Sequence, residues 1–223
     1  MRTKSNTLFR ILPIVTLALG GMLLLWIALA PAEARLGNLI KLVYVHGALV
    51  MVGLVTFSVA GLLGLVALGT RRPIWYRGTG AAGTAALIIW VLYVVSAVVV
   101  TGLAWGQWVA WNEPRVRATL MILVAALTLA LVTRLVAHPN FTALVNLVMG
   151  IVPWIVTRQA EVIRHPVDPI GGSESAAIQI FYLLIVLTVA GLAATLIAGL
   201  WLRPEKSTPV EFTPSPSTDG KST

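Results

Sequence analysis

The sequence predicts an all-α polytopic membrane protein with about six transmembrane helices. Three observations predict it. Of 223 residues, 58% are hydrophobic and only 11% charged, against about 25% charged in ordinary soluble domains. Six apolar runs meet or approach the roughly 20 residues that a helix needs to cross a bilayer. None of these runs alternates apolar and polar residues as the strands of a membrane barrel do.

The runs are justified in chain order. The first, 9–30, follows Arg2, Lys4 and Arg10. It is long for the apolar core of a signal peptide, so it is expected to be retained although residues 30–34 loosely resemble a cleavage site. The second, 39–69, is long enough to tilt or to project beyond the membrane. The third covers 80–101 and the fourth 116–137. The fifth, 141–156, is the shortest and the least apolar. The sixth is 176–202, and Ser173 or Ser175 is expected to cap it. Residues 1–202 thus read as one six-span transmembrane domain. It carries a tryptophan-rich loop at 102–114 and a polar loop at 157–175. Residues 203–223, rich in Ser, Thr and Pro, read as a disordered cytoplasmic tail.

Charge gives the orientation. With the N-terminus inside, Arg2, Lys4, Arg10, Arg71, Arg72, Arg77, Arg134, Arg203, Lys206 and Lys221 fall inside, ten of the sixteen Lys and Arg. Arg35, Lys41, Arg115, Arg117, Arg158 and Arg164 fall outside. The excess favours N-in and C-in placement in a plasma or inner membrane. The net charge of +8 then reads as topology and attraction to anionic lipid. No basic run interleaved with aromatics supports nucleic-acid binding. With no cysteine, disulfides, thiolate metal sites and cysteine nucleophiles are excluded.

Residues Gly102 to Pro114 are the most informative stretch. Three of the eight tryptophans lie here, Trp105, Trp108 and Trp111. On a helix this spacing places the indoles on one face about 120° wide. The stretch is too short and too polar to cross a bilayer, so it is expected at a membrane surface. A planar ligand, a lipid surface and simple anchoring are the three uses open to such a platform. Trp26, Trp75, Trp90, Trp154 and Trp201 read as interfacial anchors or packing.

Ionisable groups at membrane depth are functional candidates. His46 lies about two turns into the second run and could ligate a metal, relay a proton or bond a carbonyl. A satisfied interfacial histidine is the plainer alternative. His165 sits in the polar loop, and His138, before Pro139, reads as a turn residue on the opposite side. His46 and His165 share the expected outer side with the tryptophans. Two imidazoles, aromatic rings and arginines for propionates, drawn from Arg115, Arg117, Arg158 and Arg164, form a coherent haem site. No helical His-Glu-x-x-His, Gly-x-Ser-x-Gly or P-loop is present, so the chain is not read as an enzyme. No carboxylate falls mid-run, which argues against a proton-coupled pump or cation transporter.

The stretch from Thr101 through Trp105-Gly106, Trp108 and Trp111 to Asn112, followed by Arg115, resembles the tryptophan-rich "WWD" segment of the haem-handling cytochrome c assembly proteins, the CcmC/CcmF/CcsA group. Lys41-Leu-Val-Tyr-Val-His46 is similar to the start of the second span in CcmC-like members. Pro153-Trp154, Thr157-Arg158-Gln159 and Val167-Asp168-Pro169 are similar to the stretch after their fifth span. The resemblance implies six spans, His46 as an axial haem ligand, and Trp105, Trp108, Trp111 and Asn112 as a haem-presenting platform. It implies haem as a transiently bound ligand and other cytochrome c maturation proteins as partners. Those would be a haem chaperone or apocytochrome, and an ATP-binding cassette transporter. Asn112 stands where the segment has Asp, and Ala110 where it has a central Trp. Arg158 stands where a second histidine precedes Gln, and Arg, always protonated, cannot ligate iron. His165 is the nearest substitute. A haem-free scaffolding subunit with the same architecture is the alternative reading, and a small-molecule permease subunit a weaker one.

Overall fold

A computed structural model describes residues 2–34, 36–163, 170 and 172–203. It is an all-α polytopic membrane protein. Its helices are α1 (Arg2–Leu29), α2 (Ile40–Thr70), α3 (Pro73–Trp105), α4 (Pro114–Val136), α5 (Pro139–Met149), α6 (Val152–Gln159) and α7 (Ala176–Trp201). Six spans are long and apolar enough to cross a membrane, α5 and α6 together forming the fifth, Pro139–Gln159. At 31 and 33 residues, α2 and α3 run about 46–50 Å and outreach a hydrocarbon core of about 30 Å. Residues 204–223, read as a tail, lie outside the described residues, as does Arg35.

Two hairpin turns share one construction. Helix α2 ends at Arg71 (φ 54°) and α4 at Ala137 (φ 51°), both left-handed. Each is followed by an extended residue, Arg72 or His138, and then by the proline that opens the next helix. Proline pushes its predecessor out of the helical region and is itself suited to a helix's first turn. The chain therefore reverses in two residues.

The fifth span breaks, where the sequence reading ran straight through. Pro153 cannot donate an N–H, and its ring would meet the carbonyl of residue 149 in a continuous helix. The helix stops at Met149, and α6 restarts at Val152. Gly150 at the break lets α5 approach α2. A Cβ on Gly150 would lie 3.1 Å from the Cα of Gly61, and one on Gly64 2.5 Å from the carbonyl oxygen of Ala143. Small residues at such crossings are how membrane helices gain packing. Polar bonds reinforce the crossing. Asn146 donates to Thr79 (3.0 Å), Thr79 Oγ1 to the Ala60 carbonyl (2.8 Å), and Trp154 Nε1 to Ser58 Oγ (2.8 Å).

Two apolar clusters flank α2. One joins Ile40, Tyr44, Ala48 and Val52 to Ile178, Ile185 and Val189 of α7, with Trp26 of α1 against it. The other joins Leu54 and Phe57 to Trp90 and Tyr93 of α3, Ile122 of α4, and Val145 and Met149 of α5. Trp90 is fully buried and donates its indole N–H to the Thr119 carbonyl (3.2 Å). It belongs to the packed interior and not to an interfacial belt.

The helix ends define two faces. One carries the tryptophan loop, residues 106–113, with the starts of α2 and α7. The other carries Arg71, Arg72, Arg77, Arg134 and Arg203. On that arginine face Arg77 ties α3 to α7 through the carbonyls of Trp201 (3.0 Å) and Arg203 (2.8 Å).

Candidate functional site

The tryptophan segment is not a helix. Gly106, at φ 69°, ends α3 with a left-handed residue, and the chain turns through residues 106–113. Trp105 closes the helix, while Trp108 and Trp111 lie on the turns. The common helical face expected from their spacing does not form, because the αL glycine interrupts the helical phase after Trp105. Instead Trp108 folds back onto α3. A Cβ on Gly102 would lie 2.5 Å from the Trp108 ring, and Thr101 Oγ1 sits 2.9 Å from the Trp108 carbonyl. Trp108 and Trp111 remain 63% and 64% exposed, so the segment still presents aromatic area at one end of the bundle.

Beneath this loop is a cavity of about 290 Å³ between α2, α3 and α4. It is lined mainly by aliphatic residues such as Val50, Leu54 and Val94, with His46, Tyr93, Trp108 and Arg115 supplying the distinctive chemistry. That composition, an apolar wall with a few polar groups, is typical of small-molecule sites.

His46 is held by its neighbours. Its Nδ1 lies 3.1 Å from Ser96 Oγ, and its ring is tilted on Tyr93 at 4.9 Å between centroids. Ser96 donates its single hydroxyl proton to the Tyr93 carbonyl at 2.7 Å. Ser96 Oγ therefore accepts from His46 Nδ1. This is the arrangement by which a partner on one ring nitrogen orients the other toward a metal. The network continues from the Tyr93 hydroxyl to Thr119 Oγ1 (3.2 Å).

Arg115, in the first turn of α4, lines the same cavity, and its Nε is buried without a hydrogen-bond partner. A buried donor left unpaired costs about 1–3 kcal/mol, more for a charged group. An anionic acceptor in the cavity would relieve that cost, aided by the positive end of the α4 dipole.

Glu113 is fully buried, and its Oε1 accepts the Ile163 amide at 3.2 Å. It joins the tryptophan loop to the segment after α6, across 50 residues of sequence. Ile170 also lines the cavity, so both loops border the site.

Of the residues singled out from the sequence, His46, Trp108 and Arg115 meet in one cavity. Trp105, Trp111 and Asn112 border the loop but do not line it, Trp111 and Asn112 pointing outward as exposed turn residues. Arg158 is displaced from the expected site. Its guanidinium sits over the Trp154 ring at 5.6 Å, because the restarted α6 places residues 154 and 158 one turn apart. Arg117 is exposed. His165 lies outside the described residues, as do Arg164 and Asp168. Ser175 occupies the cap position of α7, but its side chain makes no capping bond. Ser173 Oγ instead accepts the Ser175 amide (3.3 Å). The sequence did not disclose Tyr93, Ser96 and Thr119, which contact the histidine or one another only through the fold.

Among the described residues no group of three or more His, Asp or Glu comes together. Comparison of the chain with protein-family models and with curated proteins finds no match.

Proposed function

We propose that this protein binds haem at the tryptophan-loop face and presents it for cytochrome c maturation, acting as a carrier and not as an enzyme. The observation that carries the reading is the convergence of His46, Arg115 and Trp108 on one apolar cavity. The resemblance of residues 41–46 and 101–115 to CcmC-like proteins supports it. Haem would supply an iron and two carboxylates. His46 would hold the iron, its ring oriented by Ser96. Arg115 supplies a donor for a carboxylate. Aliphatic residues of α2 and α3 exclude water. The cavity lies at the lower edge of ligand sites, which run about 300–1,000 Å³. A group as large as a porphyrin would also need cover from the exposed indoles of the loop. An exposed ligand held by one imidazole suits transfer better than permanent retention. In this reading the tryptophan-loop face is external, with both termini inside, in a plasma or inner membrane, as the distribution of arginines favours. A haem chaperone and an ATP-binding cassette transporter are the expected partners.

The test is spectroscopic. Haem is titrated into the purified protein in detergent. A saturable Soret band is expected, and His46→Ala should weaken it strongly. Absence of bound haem in the wild type would overturn the reading. His165→Ala asks separately whether that residue supplies a second ligand. The exposed Trp108, Trp111 and Ile163 favour a second reading, a haem-free scaffold that docks a partner. A stable complex captured without haem, together with a silent titration, would establish it.

A further inference from the structure

A second cavity, of about 250 Å³, opens at the arginine face between α3, α4 and α5. No residue lines both cavities. Trp90 stands between them, 5.7 Å from the Phe57 ring of the second cavity and 4.8 Å from the Tyr93 ring of the first. The second cavity exists because small residues leave the interface unfilled. Gly80, Ala126 and Ala130 line it, and a Cβ on Gly80 would meet nothing within 4 Å.

Its chemistry is graded. The inner end is buried and apolar, formed by Phe57, Val145 and Met149. Thr84 and Arg134 are exposed at the rim. From Ala126 to Arg134 the wall descends about 12 Å along α4. The hydroxyls of Thr84 and Thr133 donate to the carbonyls of their own helix, Gly80 (2.9 Å) and Ala130 (2.9 Å). Asn146 Nδ2 donates to Thr79. With these donors spent, the interior suits an apolar occupant better than ordered water, which asks for two to four polar partners. The rim is the opposite. Arg134 stands on a face with Arg71 and Arg72, and α2, α3, α4 and α5 contain no Asp or Glu. The neighbouring helices supply no carboxylate to neutralise this end of the protein.

We propose that this cavity binds an anionic glycerophospholipid, its acyl chain between α3, α4 and α5 and its phosphate at Arg134. An amphiphile with one long apolar chain and one anionic head matches the gradient from Phe57 to Arg134. Zwitterionic lipid shares the chain but brings its own cation against Arg134. Basic pockets between membrane helices recognise anionic head groups in this way. The site is independent of haem binding at the other face.

Native mass spectrometry of the full chain, released from detergent with defined lipid, reads the site directly. One phosphatidylglycerol is expected to be retained in preference to phosphatidylcholine. Arg134→Gln should cut that preference about fivefold, the effect of one cation near an anionic head group. Arg72→Gln, the same charge change elsewhere on the face, should leave it intact. Gly80→Leu and Ala130→Leu fill the cavity from opposite walls, and each should abolish retention. Equal losses in Arg134→Gln and Arg72→Gln would overturn the proposal in favour of diffuse attraction. Retention surviving both filled variants would place the lipid elsewhere. Displacement of phosphatidylglycerol by inorganic phosphate alone would reduce the site to a free-anion site.

Discussion

Ser96 governs what His46 can do. Its hydroxyl oxygen accepts from Nδ1 and so sets the orientation of the ring. Ser96→Ala should therefore weaken haem binding about 10–100-fold, as loss of a ligand's supporting partner does, without removing the ligand. The titration midpoint should move while the saturated Soret band stays near that of the wild type. His46→Ala should lose the band itself, so equal effects of the two substitutions would refute this division of roles. Arg115→Gln keeps a donor but removes the charge. It should cost about tenfold in affinity for a carboxylate-bearing ligand and leave the iron spectrum unchanged. Three of these residues were readable from the chain: His46 as a titratable group within an apolar run, and Trp108 and Arg115 beside it in the resemblance. Ser96 was not, because it lies 50 residues away and a lone serine in a membrane helix carries no spacing signal. Arg158 does not line the cavity, which the chain could not show for a related reason. Its cation found the Trp154 ring on its own helix, and only the break at Gly150 sets the direction of that helix.

The helices show where hydropathy is a sufficient guide. All six spans could be read from apolar length alone. Helix α3 starts seven residues before the apolar run, at Pro73, because the proline opens a helix whose first turns are polar and carry no hydropathy signal. The turn after Trp105 and the break before Pro153 were missed. Each is a local backbone decision inside an otherwise continuous pattern. Helix packing supplies two predictions. Gly64→Leu must separate α2 from the Ala143 carbonyl and should cost at least about 1–3 kcal/mol. For a chain of this size that lowers the melting temperature by several degrees. Gly80→Ala, which meets open space, should change it little, and thermal unfolding in detergent compares them. Gly102→Val should expel the Trp108 ring from its seat on α3. A red-shifted tryptophan emission and weaker haem binding are the expected outcomes. An unchanged spectrum would show that the loop does not depend on that seat.

At the scale of the whole molecule, the protein is hollowed from both faces and closed in the middle. Phe57, Trp90 and Tyr93 pack edge to face across the closure, with Trp90 anchored on the Thr119 carbonyl. This arrangement has an electrical consequence. A charge crossing a bilayer gains or loses about 2.3 kcal/mol per 100 mV of membrane potential. Both cavities are lined mainly by apolar residues and hold charge out, and Phe57, Trp90 and Tyr93 fill the protein between them. The three packed rings are the side-chain part of that barrier. Trp90→Ala in sealed vesicles should raise ion leakage in proportion to the applied potential, while the wild type stays tight. On the proposed reading, with haem at one face and a lipid at the other, the same rings keep the two sites apart.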